Sequence, residues 1–128
     1  MTKEERAHEA IIYKHSGYNC CQAVINACAD LLDADIDTLN NLASGFAVGM
    51  GGMEATCGAL NGAVITAGLL KNGKGTMTYA REMHALFTKK CGASICKDLK
   101  GRDSGVMLCS CDECVQNAVL TLCEVLEL

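Results

Sequence analysis

Cys57-Gly58-Ala59-Leu60-Asn61-Gly62-Ala63-Val64-Ile65-Thr66-Ala67-Gly68-Leu69-Leu70 is a stretch in which almost every residue is apolar or small. A helix apolar on all sides is buried by its neighbours rather than laid on a surface, and its small residues let those neighbours approach closely. The reading that follows is an all-α, single-domain helical bundle over residues 1–128, with a glycine-rich loop before a buried central helix. The glycines Gly49-Met50-Gly51-Gly52 supply that loop, Thr56 is the expected N-cap, and Lys71-Asn72-Gly73-Lys74-Gly75 closes the helix.

Outward from the centre, the rest of the chain also carries helical periodicity. It contains no proline and few aromatic residues. Thr2 with Glu5 gives a capping box for a first helix reaching about His15. A second is expected from about Asn19 to Leu32, with Cys21, Val24, Ile25 and Cys28 on one stripe. Asp33 to Asp37 supplies a turn and cap, after which Leu39, Leu42, Ala43 and Phe46 follow the spacing of an amphipathic face. Thr76 begins a long helix to about Cys91 with Gly92 beyond its end. A short helix over Ile95 to Leu99, a loop over 101–110 and a last helix from Asp112 to Leu126 complete a bundle of about five to six helices.

With 128 residues, half of them apolar, the chain can bury a core without covalent staples. The charged N-terminal stretch Met1-Thr2-Lys3-Glu4-Glu5-Arg6 has no apolar signal core, so a cytoplasmic location is expected. There a reducing thiol pool disfavours a structural disulfide framework, and ten cysteines point to redox or metal chemistry. No apolar run approaches the ~20 residues of a membrane span. A net charge of −4 argues against nucleic acid or anionic lipid as the partner. The basic residues crowd into 71–102, where Lys89, Lys90, Lys97 and Lys100 surround Cys91 and Cys96; a solvated helix face is the plainer reading of such a run.

The cysteines divide by position. Cys28 and Cys123 lie in apolar stripes and read as packing residues. Cys20, Cys57, Cys96 and Cys111 each fall near an expected helix start, where unpaired amides and the helix dipole favour a thiolate. Four such thiols meet if those ends share one pole of the bundle, though spacing alone leaves convergence and independent scatter both open. Cys111-Asp112-Glu113-Cys114 is a lone C-x-x-C without a second copy, short of a zinc ribbon. His84, on the helix of Cys91, reads as a local hydrogen-bonding group, and His8 and His15 as solvated. The methionines read as gap fillers.

Three chemistries fit the four cysteines. Cys57 can cycle through a disulfide with Cys20, Cys96 or Cys111, as a thiol–disulfide oxidoreductase or an electron-transfer protein. The same four sulfurs can instead bind an iron–sulfur cluster or zinc. In the third reading, the cysteines merely pack and the chain is a helical interaction module. The expected partner is a redox protein, with homodimerisation left open.

The segments Tyr18-Asn19-Cys20, Gly49-Met50-Gly51-Gly52, Cys57-Gly58-Ala59-x-x-Gly62, Ile95-Cys96-Lys97-Asp98-Leu99-Lys100-Gly101 and Cys111-x-x-x-Val115-x-x-Ala118 are similar to those of a family of small bacterial and archaeal proteins. That family is described as redox-active and is named for a CGAxxG motif and four cysteines. The resemblance spans most of the chain. It implies a helical redox protein whose Cys20, Cys57, Cys96 and Cys111 converge, with a distant likeness to the non-haem part of split-Soret cytochromes, where an iron–sulfur centre fits. It does not choose between dithiol and cluster, and it leaves Cys111 and Cys114 as alternatives for the fourth position.

Overall fold

A computed structural model describes residues 1–128. It contains seven α-helices and no strand: α1 (Lys3–Lys14), α2 (Cys20–Ala27), α3 (Ile36–Ala43), α4 (Gly58–Leu70), α5 (Thr76–Cys91), α6 (Cys96–Lys100) and α7 (Cys111–Leu126). That is slightly more than the five to six expected. No helix is long and apolar enough to cross a membrane.

Local chemistry sets the helix starts. Thr2 with Glu5, Asn19 with Gln22, and Ser110 with Glu113 form reciprocal capping boxes, each satisfying two otherwise orphaned amides. Asp35 accepts from the Thr38 amide at 3.1 Å to start α3. The second helix is shorter than its periodicity suggests. It ends at Ala27, Cys28 caps it, and Ala29–Leu31 tighten into a 3-10 turn.

α4 is packed between α2, α5 and α7, and α1 lies across α2 and α7. Ala59, Leu60, Ala63 and Ala67 of α4 are buried among Val24, Met83, Phe87, Val115, Val119 and Leu122. Two glycines set how closely α4 seats. A Cβ at Gly62 would lie 2.6 Å from the Cys21 carbonyl oxygen of α2, and one at Gly58 would lie 2.5 Å from both the Cys20 sulfur and the Phe46 carbonyl oxygen. The alanine and glycine content of this central run is therefore a close-packing requirement.

Several side chains depart from the expected pattern. In α3, Leu39 and Ala43 are buried, whereas Leu42 and, in the turn beyond the helix, Phe46 stay exposed and line a shallow apolar groove with Leu60, Val64, Ile65 and the exposed His84. Met83 fills the core, but Met50, Met77 and Met107 are solvent-exposed. His15 is exposed yet not free, its Nε2 lying 2.9 Å from Asp112 and joining the end of α1 to the start of α7.

Candidate redox centre

The segment before α4 is bent by left-handed backbone at Val48, Gly49, Met50, Gly51 and Met53. A positive φ is uncommon for non-glycine residues, and here three of them turn the chain sharply back on itself. Gly49 is held against α6: a Cβ there would lie 2.8 Å from the Cβ of Cys96. Glu54 then anchors the segment, its carboxylate 2.9 Å from Lys97 Nζ and 2.8 Å from Arg102 Nη2.

An isolated antiparallel bridge between Thr56 and Ile95 brings two cysteines together. The Cys57 amide donates to the Ser94 carbonyl at 2.8 Å, and the Cys96 amide donates to the Ala55 carbonyl at 3.1 Å. Each bridged strand-like residue leads directly into a cysteine and then a helix. Thr56 is thus a bridge residue, and Cys57 itself occupies the N-cap of α4.

Cys20, Cys96 and Cys111 are the first residues of α2, α6 and α7. Together with Cys57 and Cys114, they line one cavity of about 190 Å³. Asn19, Ala47, Val48, Met53 and Gly58 complete most of its wall, and Lys14 and Lys100 bring positive charge to it. Cys57, Cys96 and Cys114 are buried, Cys20 is half-buried and Cys111 is exposed. The cavity is several times the ~30 Å³ that one water occupies in the liquid.

The thiols sense one another. Burial raises the pKa of Cys20 above its ordinary value, and the nearby Cys57 and Cys111 sulfurs add to the effect. Cys96 is likewise raised, first by burial and then by Cys57, with Cys20 and Cys111 contributing. Cys57 is pushed far up by its interaction with Cys114 and by burial. The amides of Ala59 and Leu60 at the start of α4 favour its thiolate, but neither makes a capping hydrogen bond of standard geometry. These effects act against the activation of Cys57 expected from its helix start. Loss of solvent and a neighbouring sulfur outweigh the helix terminus.

Cys114 is also raised. Its Cys57 contact acts downward, and the Cys91 contact and burial act upward and prevail. Lys100 Nζ reaches the Cys114 sulfur at 3.5 Å and the Cys109 carbonyl at 3.1 Å. Of the basic run, Lys100 is thus the residue placed among sulfurs, while Lys90 pairs with Glu124 and Lys97 with Glu54.

A second group of sulfurs lies behind this wall. Cys91, Cys109 and Cys114 are all buried, with their sulfurs within 4.8 Å of one another. Sequence reasoning assigned no site to Cys91 or Cys109. Cys109 comes from an irregular loop, so helical periodicity carries no signal for it. The signal available was the proximity of Cys109 to the C-x-x-C. Cys28 and Cys123 sit in the same apolar core, apart from this group of sulfurs.

The donor set of the cavity is chemically uniform: five thiols, with no imidazole or carboxylate among the residues that line it. Thiolates are the ligands of iron–sulfur clusters and of soft cations, so an iron–sulfur group fits these residues.

No curated protein and no solved structure matches the chain. One family does, under the description "Putative redox-active protein (C_GCAxxG_C_C)", over residues 18–125. With that match running from just before Cys20 nearly to the end of α7, the chain belongs to this family.

Proposed function

We propose that the protein carries electrons through an iron–sulfur cluster held by Cys20, Cys57, Cys96 and Cys111. The observation that carries this reading is the single cavity lined by these four sulfurs, each from the start of a different helix. When bound, such a cluster supplies one-electron chemistry at a potential tuned by charge, hydrogen bonding and exposure. The apolar wall of Ala47, Val48 and Met53 limits water, and Lys14 and Lys100 offset negative charge. The N-termini of α2, α4 and α7 direct their positive ends toward the same place. Cys111 is the exposed cysteine of the set, which makes the start of α7 the side from which a partner redox protein delivers or collects electrons.

A single zinc ion is less well matched. Four sulfurs around zinc lie about 4 Å apart. The three sulfurs that all lie within 4.8 Å of one another are those of Cys91, Cys109 and Cys114, a different set.

The shared place of Cys57 and Cys114 in the cavity wall favours a second reading, a dithiol that closes to a disulfide on loss of two electrons and two protons to an external oxidant. It differs from the sequence expectation in the companion of Cys57. Anaerobic reconstitution with iron and sulfide separates the two. The cluster reading expects visible absorption, iron and acid-labile sulfide in wild-type protein, lost in C20S, C57S, C96S and C111S. Colourless protein without sulfide, together with a mapped Cys57–Cys114 disulfide, would replace it with the dithiol.

A further inference from the structure

Cys91 closes α5, Cys109 ends the loop before α7, and Cys114 lies in the first turns of α7. Their sulfurs form a compact triangle, each within 4.8 Å of the others. The residues are 4 %, 2 % and 1 % exposed. The geometry points to a three-thiolate site at Cys91, Cys109 and Cys114 for one soft monovalent cation of the Cu(I) class, adjoining the four-cysteine cavity through Cys114.

Three observations carry this. First, the triangle is already near the size needed: three sulfurs at ~2.3 Å from a shared ion lie about 4 Å apart, so a small inward movement suffices. Second, nitrogen donors are aimed at these sulfurs. Asn117 Nδ2 donates to Cys91 Sγ at 3.3 Å and approaches Cys109 Sγ at 3.9 Å, while Lys100 Nζ donates to Cys114 Sγ at 3.5 Å. Such second-layer donors orient metal ligands and stabilise thiolate charge. Cysteines that only fill space need none, and Cys28 and Cys123 sit in the same core without them.

Third, the donor number and type select the ion. The triangle offers sulfur alone, and apolar residues of the main core surround it. Zinc in a closed site takes four ligands, whereas soft thiolates in low number suit Cu(I). Binding releases one proton from each of the three thiols to solvent. The ammonium of Lys100 offsets part of the negative charge that remains.

Cys114 lines the cavity as well as the triangle, so a bound ion draws its sulfur away from Cys57. The proposal does not depend on the cluster reading, because Cys91 and Cys109 take no part in that one.

The test is anaerobic titration of fully reduced, metal-free protein with Cu(I), in competition with a chromophoric Cu(I) chelator. Wild type should retain one equivalent, with X-ray absorption giving a trigonal shell of three sulfurs. C91S and C109S should each weaken binding by more than about 100-fold, whereas C20S and C96S should leave it unchanged. Unchanged affinity in C91S or C109S with native helical circular dichroism would overturn the proposal. So would loss of the ion in C20S or C96S. If C91S and C109S fail to fold, the combined C20S/C57S/C96S/C111S variant decides: one retained Cu(I) in a three-sulfur shell supports the site, and loss of the ion or any nitrogen or oxygen ligand rejects it.

Discussion

Cys114 lines the same cavity as Cys57, and its sulfur also lies within 4.8 Å of those of Cys91 and Cys109. One sulfur on α7 therefore touches both the cavity and the group behind it. The neighbouring Cys114 and burial push the Cys57 thiol up despite its place at a helix start.

Alkylation should follow exposure rather than helix position. Cys111, the exposed cysteine, should be labelled first when metal-free, reduced protein is treated with iodoacetamide near neutral pH, and Cys57 and Cys114 should be spared until denaturant is added. Peptide mass spectrometry over a time course checks the order. Early labelling of Cys57 would contradict the assignment of a suppressed thiol.

Alkaline pH should destabilise the fold. Cys21 and Cys28 are pushed up to about 12, mainly by burial. Their pKa values in the unfolded chain are lower, so stability is intact below about pH 9 and falls as pH rises toward 12. Each thiol removes about 1.4 kcal/mol per pH unit within that window. Urea midpoints of reduced protein between pH 8 and 11 measure the slope, and C28A should reduce it.

Gly58→Ala should unseat α4. The added methyl would meet the Phe46 carbonyl and the Ala47 Cα, which are backbone atoms, as well as the Cys20 sulfur. We expect a loss of about 1–3 kcal/mol in chemical denaturation, the usual cost of overpacking. The reconstituted absorbance should fall as well, because Cys20 must move. Gly68→Ala is the control, since its nearest new contact is an ordinary 3.6 Å.

Lys100→Met should lower the reduction potential of the reconstituted centre. Removing a positive charge beside the sulfurs disfavours the more electron-rich state. The expected shift is on the order of ~50 mV downward for a charge of this proximity and partial exposure. A potentiometric titration followed in the visible reads it, and an upward shift would remove Lys100 from the electrostatic account.

Acid should loosen the segment before α4. Lys97 and Arg102 hold Glu54 down to about 2. Its contribution is present above the ordinary glutamate pKa and lost as pH falls toward 2. Amide chemical shifts of Gly51 to Thr56 should move together in that range, and E54Q should abolish the transition. Because the pair is solvent-exposed, added salt should reduce the effect.

Much of this architecture was legible in the chain. The capping box at Thr2 marks local side-chain-to-backbone bonds that need no tertiary context, and those at Asn19 and Ser110, which the sequence reading did not name, are of the same local kind. The burial of α4 follows from its composition. The exposure of Leu42 and Phe46 was not legible, because periodicity defines a face without saying whether a neighbour covers it. The second helix broke early at Cys28 for a similar reason: the apolar stripe continues beyond the point where the backbone stops being helical. Cys20, Cys57, Cys96 and Cys111 could be placed at helix starts, but their common cavity depends on a bridge of two residues at Thr56 and Ile95, below the length of any strand pattern. The triangle of Cys91, Cys109 and Cys114 depends on the path of a loop, which no repeat encodes.

The Thr56–Ile95 bridge is made of peptide groups, and this decides which changes the site tolerates. Exchanging the side chains at 55, 56, 94 or 95 leaves both clasping bonds available, provided proline is avoided. A single-residue insertion or deletion between Ala55 and Cys57, or between Ser94 and Cys96, would shift the pairing by one step and turn a sulfur to the opposite side. The separation of Cys57 from Cys96 is therefore protected against point substitution and exposed to changes in length.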